Sequence, residues 1–260
     1  MKNLANKVQH ASCIVIKIGS ALLVDADTGR VRSHWIESLS KDIALLKSSG
    51  KQVVLVSSGS IAIGREILKL TSNMIKLEEK QAAAAVGQGK LVQLWAHYLA
   101  QHKITAAQIL LAPDDTETRR RHLNARATIK TLLNLGVVPV VNENDTVTTY
   151  EIRFGDNDRL AARVAGMISA DLVILLSDID GLYNTDPSLD PKATHIEEVN
   201  EITETILAMG GSANASFASG GMATKLAAGQ IATNAGADMI ICDGRHEQPL
   251  TRLLDGARAT

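Results

Sequence analysis

The chain is poor in the residues that mark several protein classes. Aromatic residues make up only 3% of its 260 positions, so any core must be packed from aliphatic side chains. Lys and Arg total 27 against 28 Asp and Glu, a net charge of −1. That balance gives no global positive field to hold a nucleic-acid backbone, and any anion must be bound by local groups. There are two cysteines, Cys13 and Cys242. Each lies in an apolar run without metal-ligand spacing, which reads as a reduced core thiol and a cytoplasmic location. The seven histidines are scattered; no HExxH pattern arises, and no metal ligand is assigned. No apolar run reaches the roughly 18 residues a membrane-spanning helix needs. Lys17 breaks the N-terminal run Ala11–Ile16 too early for a secretory leader. GxGxxG is missing, and the GxxxxG spacing of Gly59–Gly64 is followed by Arg65-Glu66 in place of Lys-Ser/Thr. With neither a dinucleotide fingerprint nor a Walker A loop, a nucleotide here would be held by another device.

What is present is alternation. Apolar, β-prone runs recur at Cys13–Ile18, Gln52–Ser57, Gln108–Leu111, Val137–Val141, Leu172–Leu176 and Met239–Cys242. Between them lie helical patterns: Ser33–Ser48, with Ile36, Leu39, Ile43 and Leu46 on one face, then Leu77–Gln101, Arg119–Leu135, Asp158–Ser169, Ile202–Met209 and Met222–Ala235. Gly50, Gly136 and Gly236 fall just past helices, where a left-handed cap belongs. This pattern predicts an α/β fold: a doubly wound, mainly parallel open sheet with helices on both faces, an αβα sandwich in one domain.

In such a sheet the strand C-termini share one edge, where ligands bind. Five runs end there in small or polar residues: Gly19-Ser20, Ser57-Ser58-Gly59, Asn142-Glu143-Asn144-Asp145, Ser177-Asp178 and Asp243-Gly244. Lys17 sits inside an apolar strand, costly unless it is paired, faces a ligand, or lies on an edge strand and reaches solvent. Ser219-Gly220-Gly221-Met222-Ala223-Thr224-Lys225 opens a helix. Its glycines admit a phosphate close to the backbone and its free N–H groups bind one. Two lysines, Lys17 and Lys225, at a strand end and a helix start suit the electrostatics of phosphoryl transfer. The stretch Phe154–Leu160 packs Asp156, Asn157 and Asp158 ahead of an alanine-rich helix. Alone it reads as a capped turn. Paired with the cluster Asn142–Asp145, through a β-prone arm at Thr146–Arg153, it could close on a small polar molecule.

Taken in order, Lys17-Ile-Gly-Ser, Ser57-Ser-Gly-Ser, Ala85-Val-Gly-Gln, Leu123-Asn-Ala-Arg, Asn142-Glu-Asn-Asp, Gly155-Asp-Asn-Asp, Ser177-Asp178 and Ser219–Lys225 resemble the glutamate 5-kinases of the amino acid kinase family. The resemblance runs from about Ile14 to the C-terminus. It implies transfer of the γ-phosphate of ATP to the side-chain carboxylate of L-glutamate, the first step of proline biosynthesis. By that resemblance Ser58, Asp145 and Asn157 hold glutamate. Lys17 and Lys225 stabilise the phosphoryl group in flight and Asp158 orients them. Ser177, Asp178, Ser219, Gly220, Gly221, Met222, Ala223, Thr224 and Lys225, with Lys17, hold ATP, and Mg²⁺ bridges its phosphates. Chemically, a carboxylate suits an ammonium, and an amide at Asn157 can donate to the α-carboxylate.

The resemblance also implies a glutamate-binding lobe over about 1–170 and a nucleotide-binding lobe over about 171–260. It implies inhibition by proline, a homodimer or homotetramer, and a glutamyl phosphate reductase as partner; the chain departs from many relatives in showing no segment for their RNA-modification-enzyme-like (PUA) domain, and a short form is expected. No nucleic acid or membrane is expected. Rival readings on the same scaffold are N-acetylglutamate kinase, aspartokinase, UMP kinase and carbamate kinase. A non-catalytic amino-acid sensor would not need both lysines, and an NAD-type oxidoreductase lacks its fingerprint.

Overall fold

The computed structural model of the chain describes residues 2–25, 28–70, 76–147, 157–211 and 221–260. In chain order the elements are α1 (Lys2–His10), β1 (Cys13–Ile18), α2 (Ser20–Leu23), α3 (Ser33–Ser48), β2 (Gln52–Ser57), α4 (Ser60–Ile67), α5 (Leu77–Ala100), β3 (Ala106–Leu111), α6 (Pro113–Glu117), α7 (Arg119–Asn134), β4 (Val138–Glu143), α8 (Asn157–Ile168), β5 (Leu172–Ser177), β6 (Leu182–Tyr183), β7 (His195–Ile196), α9 (Glu204–Ala208), α10 (Met222–Asn234), β8 (Asp238–Asp243) and α11 (Pro249–Leu254).

Six strands form one sheet in the order β3-β4-β2-β1-β5-β8, and every pairing in it is parallel. β6 and β7 make a separate antiparallel pair. Parallel strands bury both faces, which is why these segments read as unbroken apolar runs. Period-2 alternation sorts their side chains. Ile14, Ile16 and Ile18 face a core shared with Leu39 and Ile43 of α3 and Leu91, Trp95 and Leu99 of α5. Cys13 and Val15 face the opposite core, built with Ile129 and Leu133 of α7, Ala161 and Ala165 of α8, and Ala228 and Ala232 of α10. Lys17 has the parity of Cys13 and Val15, so it projects toward the α8–α10 layer.

β1, β2 and α3 match the predicted bounds, and the other predicted strands differ by a residue or two at their ends. Gly50, Gly136 and Gly236 all adopt the left-handed conformation expected of caps, with φ of 80°, 79° and 85°. α9 is shorter than the predicted Ile202–Met209. Thr203 stands outside it as the N-cap, its hydroxyl accepting from the Ile206 N–H at 3.3 Å. α1 and α11 were not among the predicted helices; α1 is short but amphipathic, with Leu4 and Val8 one turn apart packing on the core. α11 is held by long-range contacts instead: the Asp42 carboxylate accepts from the Leu250 N–H and the Thr251 hydroxyl. The predicted arm Thr146–Arg153 falls mostly outside the described residues, as do Phe154, Gly155 and Asp156.

The order of strands reverses at β1. The chain moves outward through β2 toward β3 and β4, then returns to β5 on the other side of β1. The crevice at that reversal lies at the carboxyl ends of β1, β2 and β5. One wall is set by α4 and α5, which meet backbone to backbone. A Cβ on Gly64 would overlap the Ala83 carbonyl, and one on Gly87 would overlap the Ser60 carbonyl. Neither obstacle is a flexible side chain, so the helices must separate to admit even a methyl group. Gly64→Ala should therefore lower the unfolding free energy by about 3 kcal/mol, the upper end for overpacking. Chemical denaturation is the measurement, and an unchanged midpoint would show that the helices are not locked.

Candidate active site

A cavity of about 640 Å³ opens at this reversal, lined among others by Lys17, Gly19, Ser58, Ser60, Asn142, Asp145, Asn157, Ser177, Asp178 and Lys225. A larger hollow, about 820 Å³, lies on the flank of β8 among Leu4, Lys7, Ile202, Met239 and Arg258; it holds none of the predicted site residues. The smaller cavity is where the chemistry gathers.

Lys17 lies on an interior strand, flanked by Val56 of β2 and Leu175 of β5. This rules out the edge-strand reading. Its side chain is buried, and Nζ lies 2.6 Å from Asp158 Oδ1. Lys225, in the first turn of α10 and also buried, places Nζ 3.5 Å from Asp158 Oδ2. The Thr224 hydroxyl donates to the same Oδ2 at 3.1 Å. One carboxylate thus bridges two ammonium groups brought from residues 17 and 225. Burial pushes the Asp158 carboxyl up, but the charges of Lys17 and Lys225, with the Lys17 and Thr224 hydrogen bonds, outweigh it and hold the carboxyl below its ordinary value.

On the α4 side a network of hydroxyls and amides surrounds one carboxyl, with Arg65, Lys80 and Glu143 also lining the cavity. Gly59 takes φ of 104° at the start of α4, a conformation a side chain resists. That turn presents both Ser58 and Ser60 to the cavity. Asn157 Nδ2 donates to Ser58 Oγ at 2.6 Å and to Asn142 Oδ1 at 3.0 Å. Asn142 Nδ2 donates to Gln88 Oε1 at 2.8 Å and to Ser60 Oγ at 3.3 Å, and Ser60 Oγ donates to Asp145 Oδ2 at 3.1 Å. Burial pushes the Asp145 carboxyl up to about 6, against the lowering effect of the Ser60 hydrogen bond. A buried carboxylate without a cation beside it is a receptor waiting for positive charge.

On the nucleotide side, Ser177 Oγ donates to Asp178 Oδ1 at 3.0 Å at the end of β5. Gly221, Met222, Ala223 and Thr224 form the start of α10, with Gly221 as its N-cap. Ser219 and Gly220 lie outside the described residues. Of the predicted site residues that are described, Lys17, Ser58, Asp145, Asn157, Ser177, Asp178 and Lys225 line one cavity; behind it Asp158 is tied to Lys225 and Thr224 to Asp158. Ser60, Asn142 and Gln88 were legible only as members of motifs, with no role assigned. Trp95, which donates to Ser57 Oγ at 3.0 Å and braces the end of β2, gave no sequence signal beyond core packing.

A parallel αβα sheet with a lysine–carboxylate–lysine cluster at its switch point defines a phosphotransferase of the amino acid kinase class, and the comparisons agree. Residues 12–243 match the amino acid kinase family, and the chain belongs to that family. Among solved structures it resembles UMP kinase from Ureaplasma parvum, with a TM-score of 0.64 and 18% identity over 96% of this chain and 97% of that one. It also resembles carbamate kinase from Giardia lamblia, with a TM-score of 0.65 and 17% identity over 97% and 98%. Within the family it stands with the glutamate 5-kinases. It is 56% identical to that of Gluconobacter oxydans over 98% of this chain and 68% of the relative. It is 58% identical to that of Rhizobium etli over 95% of this chain and 63% of the relative. The chain thus spans about two thirds of the length of the curated relatives it matches.

The Asp145 environment has a measurable consequence. Its folded carboxyl titrates near 6, above the ordinary 3.8, so folding favours the protonated form. That contribution is complete below about pH 4 and is lost as pH rises through 6, on the order of 3 kcal/mol for a shift of about two units. Asp145→Asn does not titrate. The ligand-free native protein should lose stability relative to this variant between pH 4 and pH 7.5, measured by urea unfolding; parallel pH dependence in the two proteins would contradict the burial.

Proposed function

We propose that the chain transfers the γ-phosphoryl group of Mg-ATP to the side-chain carboxylate of L-glutamate, yielding L-glutamyl 5-phosphate and ADP. The observation that carries this reading is the Lys17–Asp158–Lys225 cluster at the edge of a cavity that also presents the Ser58, Ser60, Asn142 and Asn157 hydroxyls and amides, the raised Asp145 carboxyl, and the charged Arg65, Lys80 and Glu143. The relatives named glutamate 5-kinase supply the identity of the acceptor.

A glutamate carboxylate oxygen forms the new bond to the γ-phosphorus as the bond to the β-phosphate bridging oxygen breaks, and that oxygen leaves with the electron pair on ADP. No proton moves, so no general base is required. The obstacle is two anions approaching each other, and the remedy is alignment plus cancellation of charge. Lys17 and Lys225 supply the cancellation and Asp158 keeps both aimed. Ser58, Asp145 and Asn157 hold glutamate, with Asp145 taking its ammonium. Ser177, Asp178, Ser219, Gly220 and residues Gly221 to Thr224 hold the nucleotide, whose Mg²⁺ shields the phosphate charge. Residues to about 170 then serve glutamate and those from about 171 serve ATP.

Three further parts belong to the proposal. Proline, which shares the amino-acid head group, competes at the glutamate end as a feedback inhibitor of its own synthesis. The acyl phosphate hydrolyses readily, so a reductase that consumes it is the natural partner. The enzyme works as a cytoplasmic homo-oligomer, a dimer or tetramer.

The test offers Mg-ATP with glutamate, aspartate, N-acetylglutamate or UMP and traps any acyl phosphate with hydroxylamine. Hydroxamate from glutamate alone is expected; ADP release driven by UMP instead would overturn the acceptor. Lys225→Ala should reduce kcat about 100-fold while moving the glutamate KM far less, the scale of losing one transition-state donor. A kcat equal to that of the native enzyme would remove Lys225 from the reaction.

A further inference from the structure

Gln88, Asn142 and Asn157 form a chain of three amides that begins on α5, outside the cavity, and ends on a residue that lines it. Among the described residues, the two ends of this chain are unmatched. Gln88 Nε2 and Asn157 Oδ1 are buried with no hydrogen-bond partner. An amide offers a donor on one side and an acceptor on the other, and the two can be exchanged by a half-turn. Here a half-turn of one amide alone would set donor against donor or acceptor against acceptor. The three turn together or not at all. In one sense Asn157 leaves a carbonyl oxygen free for a ligand; in the other it leaves an NH₂.

The surroundings choose between these senses. An ionised Asp145 only accepts, so Ser60 must donate its single proton to it. Ser60 then turns a lone pair toward Asn142, which an NH₂ satisfies and a carbonyl does not. That fixes Asn142 with its NH₂ between Ser60 and Gln88, and Gln88 must offer its oxygen. Asn142 Oδ1 is left to accept from Asn157, whose own oxygen becomes the free atom. Gln88 is held in place for this by its neighbour in sequence: Gly87 lies against the Ser60 backbone, where no side chain fits. Gln88 reaches from α5 to Asn142 at the end of β4, so α5 cannot draw back from the sheet without breaking that bond.

We propose that Gln88 is a positioning residue for the amino-acid substrate, which holds the Asn157 amide, through Asn142, with its carbonyl oxygen as the atom offered to the ligand. Asp145 and Asn157 then offer acceptors only. Together they are a receptor for an ammonium group, in place of the donor to an α-carboxylate that an amide at Asn157 would otherwise supply. This rests on the proposed glutamate reaction.

Steady-state kinetics of three proteins separates the possibilities. Gln88→Met keeps the length and removes the acceptor. It should raise the glutamate KM about tenfold, with kcat and the ATP KM within about twofold of native. Gln88→Glu, which restores an acceptor, should bring the glutamate KM back to within about threefold. In an Asn157→Ala background, Gln88→Met should add little, because its effect runs through Asn157. A native glutamate KM in Gln88→Met, no recovery in Gln88→Glu, or a full tenfold effect retained in the Asn157→Ala background would each overturn the proposal. Failure of the native enzyme to turn over glutamate would instead reject the acceptor assignment on which it stands.

Discussion

One buried carboxylate sets the geometry of the site. Asp158 is only 1% exposed, yet it stays ionised because two ammonium groups and a hydroxyl converge on it. The dependence runs both ways. Two lysines this deeply buried would repel each other without a shared counter-ion, and removing one partner of such a cluster costs about 3–5 kcal/mol. The carboxylate therefore ties together β1, α8 and α10, elements far apart in sequence. The helix layer makes this possible by being small-sided. Ala161, Ala162 and Ala165 of α8 and Ala228 and Ala232 of α10 are all fully buried, and a Cβ on Gly166 would come within 3.0 Å of the Ala235 side chain. Larger residues there would push the two helix starts apart and separate the charges.

The strands were readable because parallel strands covered on both faces leave unbroken apolar runs, and those runs stand out in a sequence with little aromatic content. Lys17 was readable because it violates its run; its face emerged only from the structure, where it shares the parity of Cys13 and Val15. The glycine caps were readable because few other residues tolerate their backbone conformation. The amide wall was not. Gln88 looks like any polar residue on an alanine-rich helix, and its role depends on how closely α5 approaches the end of β4, where Asn142 lies, which no local pattern encodes. Trp95 reads as a core residue, which it is; its bond to Ser57 depends on a tertiary neighbour. α1 and α11 are too short for a periodic pattern to stand out, and contacts with distant residues, such as the link from Lys7 to Asp238 at 2.8 Å, fix their positions.

The two walls of the cavity use different physics. Toward α8 and α10, full charges are paired in a nearly dry environment, where electrostatic interactions are strong and displacement is costly. Toward α4 and α5, neutral amides and hydroxyls form a network in which each donor selects the next. A charge cluster tolerates small shifts, because Coulomb attraction falls off slowly. A hydrogen-bond network does not, because each bond is directional. Backbone contact between α4 and α5 is the kind of support a directional network needs, and the aliphatic packing behind α8 suffices for the charges.

This division bears on the choice of acceptor. Asp158, with its carboxyl held below the ordinary value by two lysines, is a poor base, so it is ill suited to strip a proton from a hydroxyl acceptor. An acceptor that arrives already ionised avoids the problem, and both a carboxylate and a nucleotide phosphate qualify on that ground. Asp145 separates them. Arg65 and Lys80 also line the cavity, but the buried Asp145 carboxyl, bonded to Ser60, favours a molecule that carries a cation a few bonds from its reactive carboxylate. Ligand ammonium arriving there would also stabilise the ionised form of a carboxyl that burial has raised to about 6, so binding and charge reinforce each other. An α-amino acid with an acidic side chain has that arrangement of charges; UMP does not.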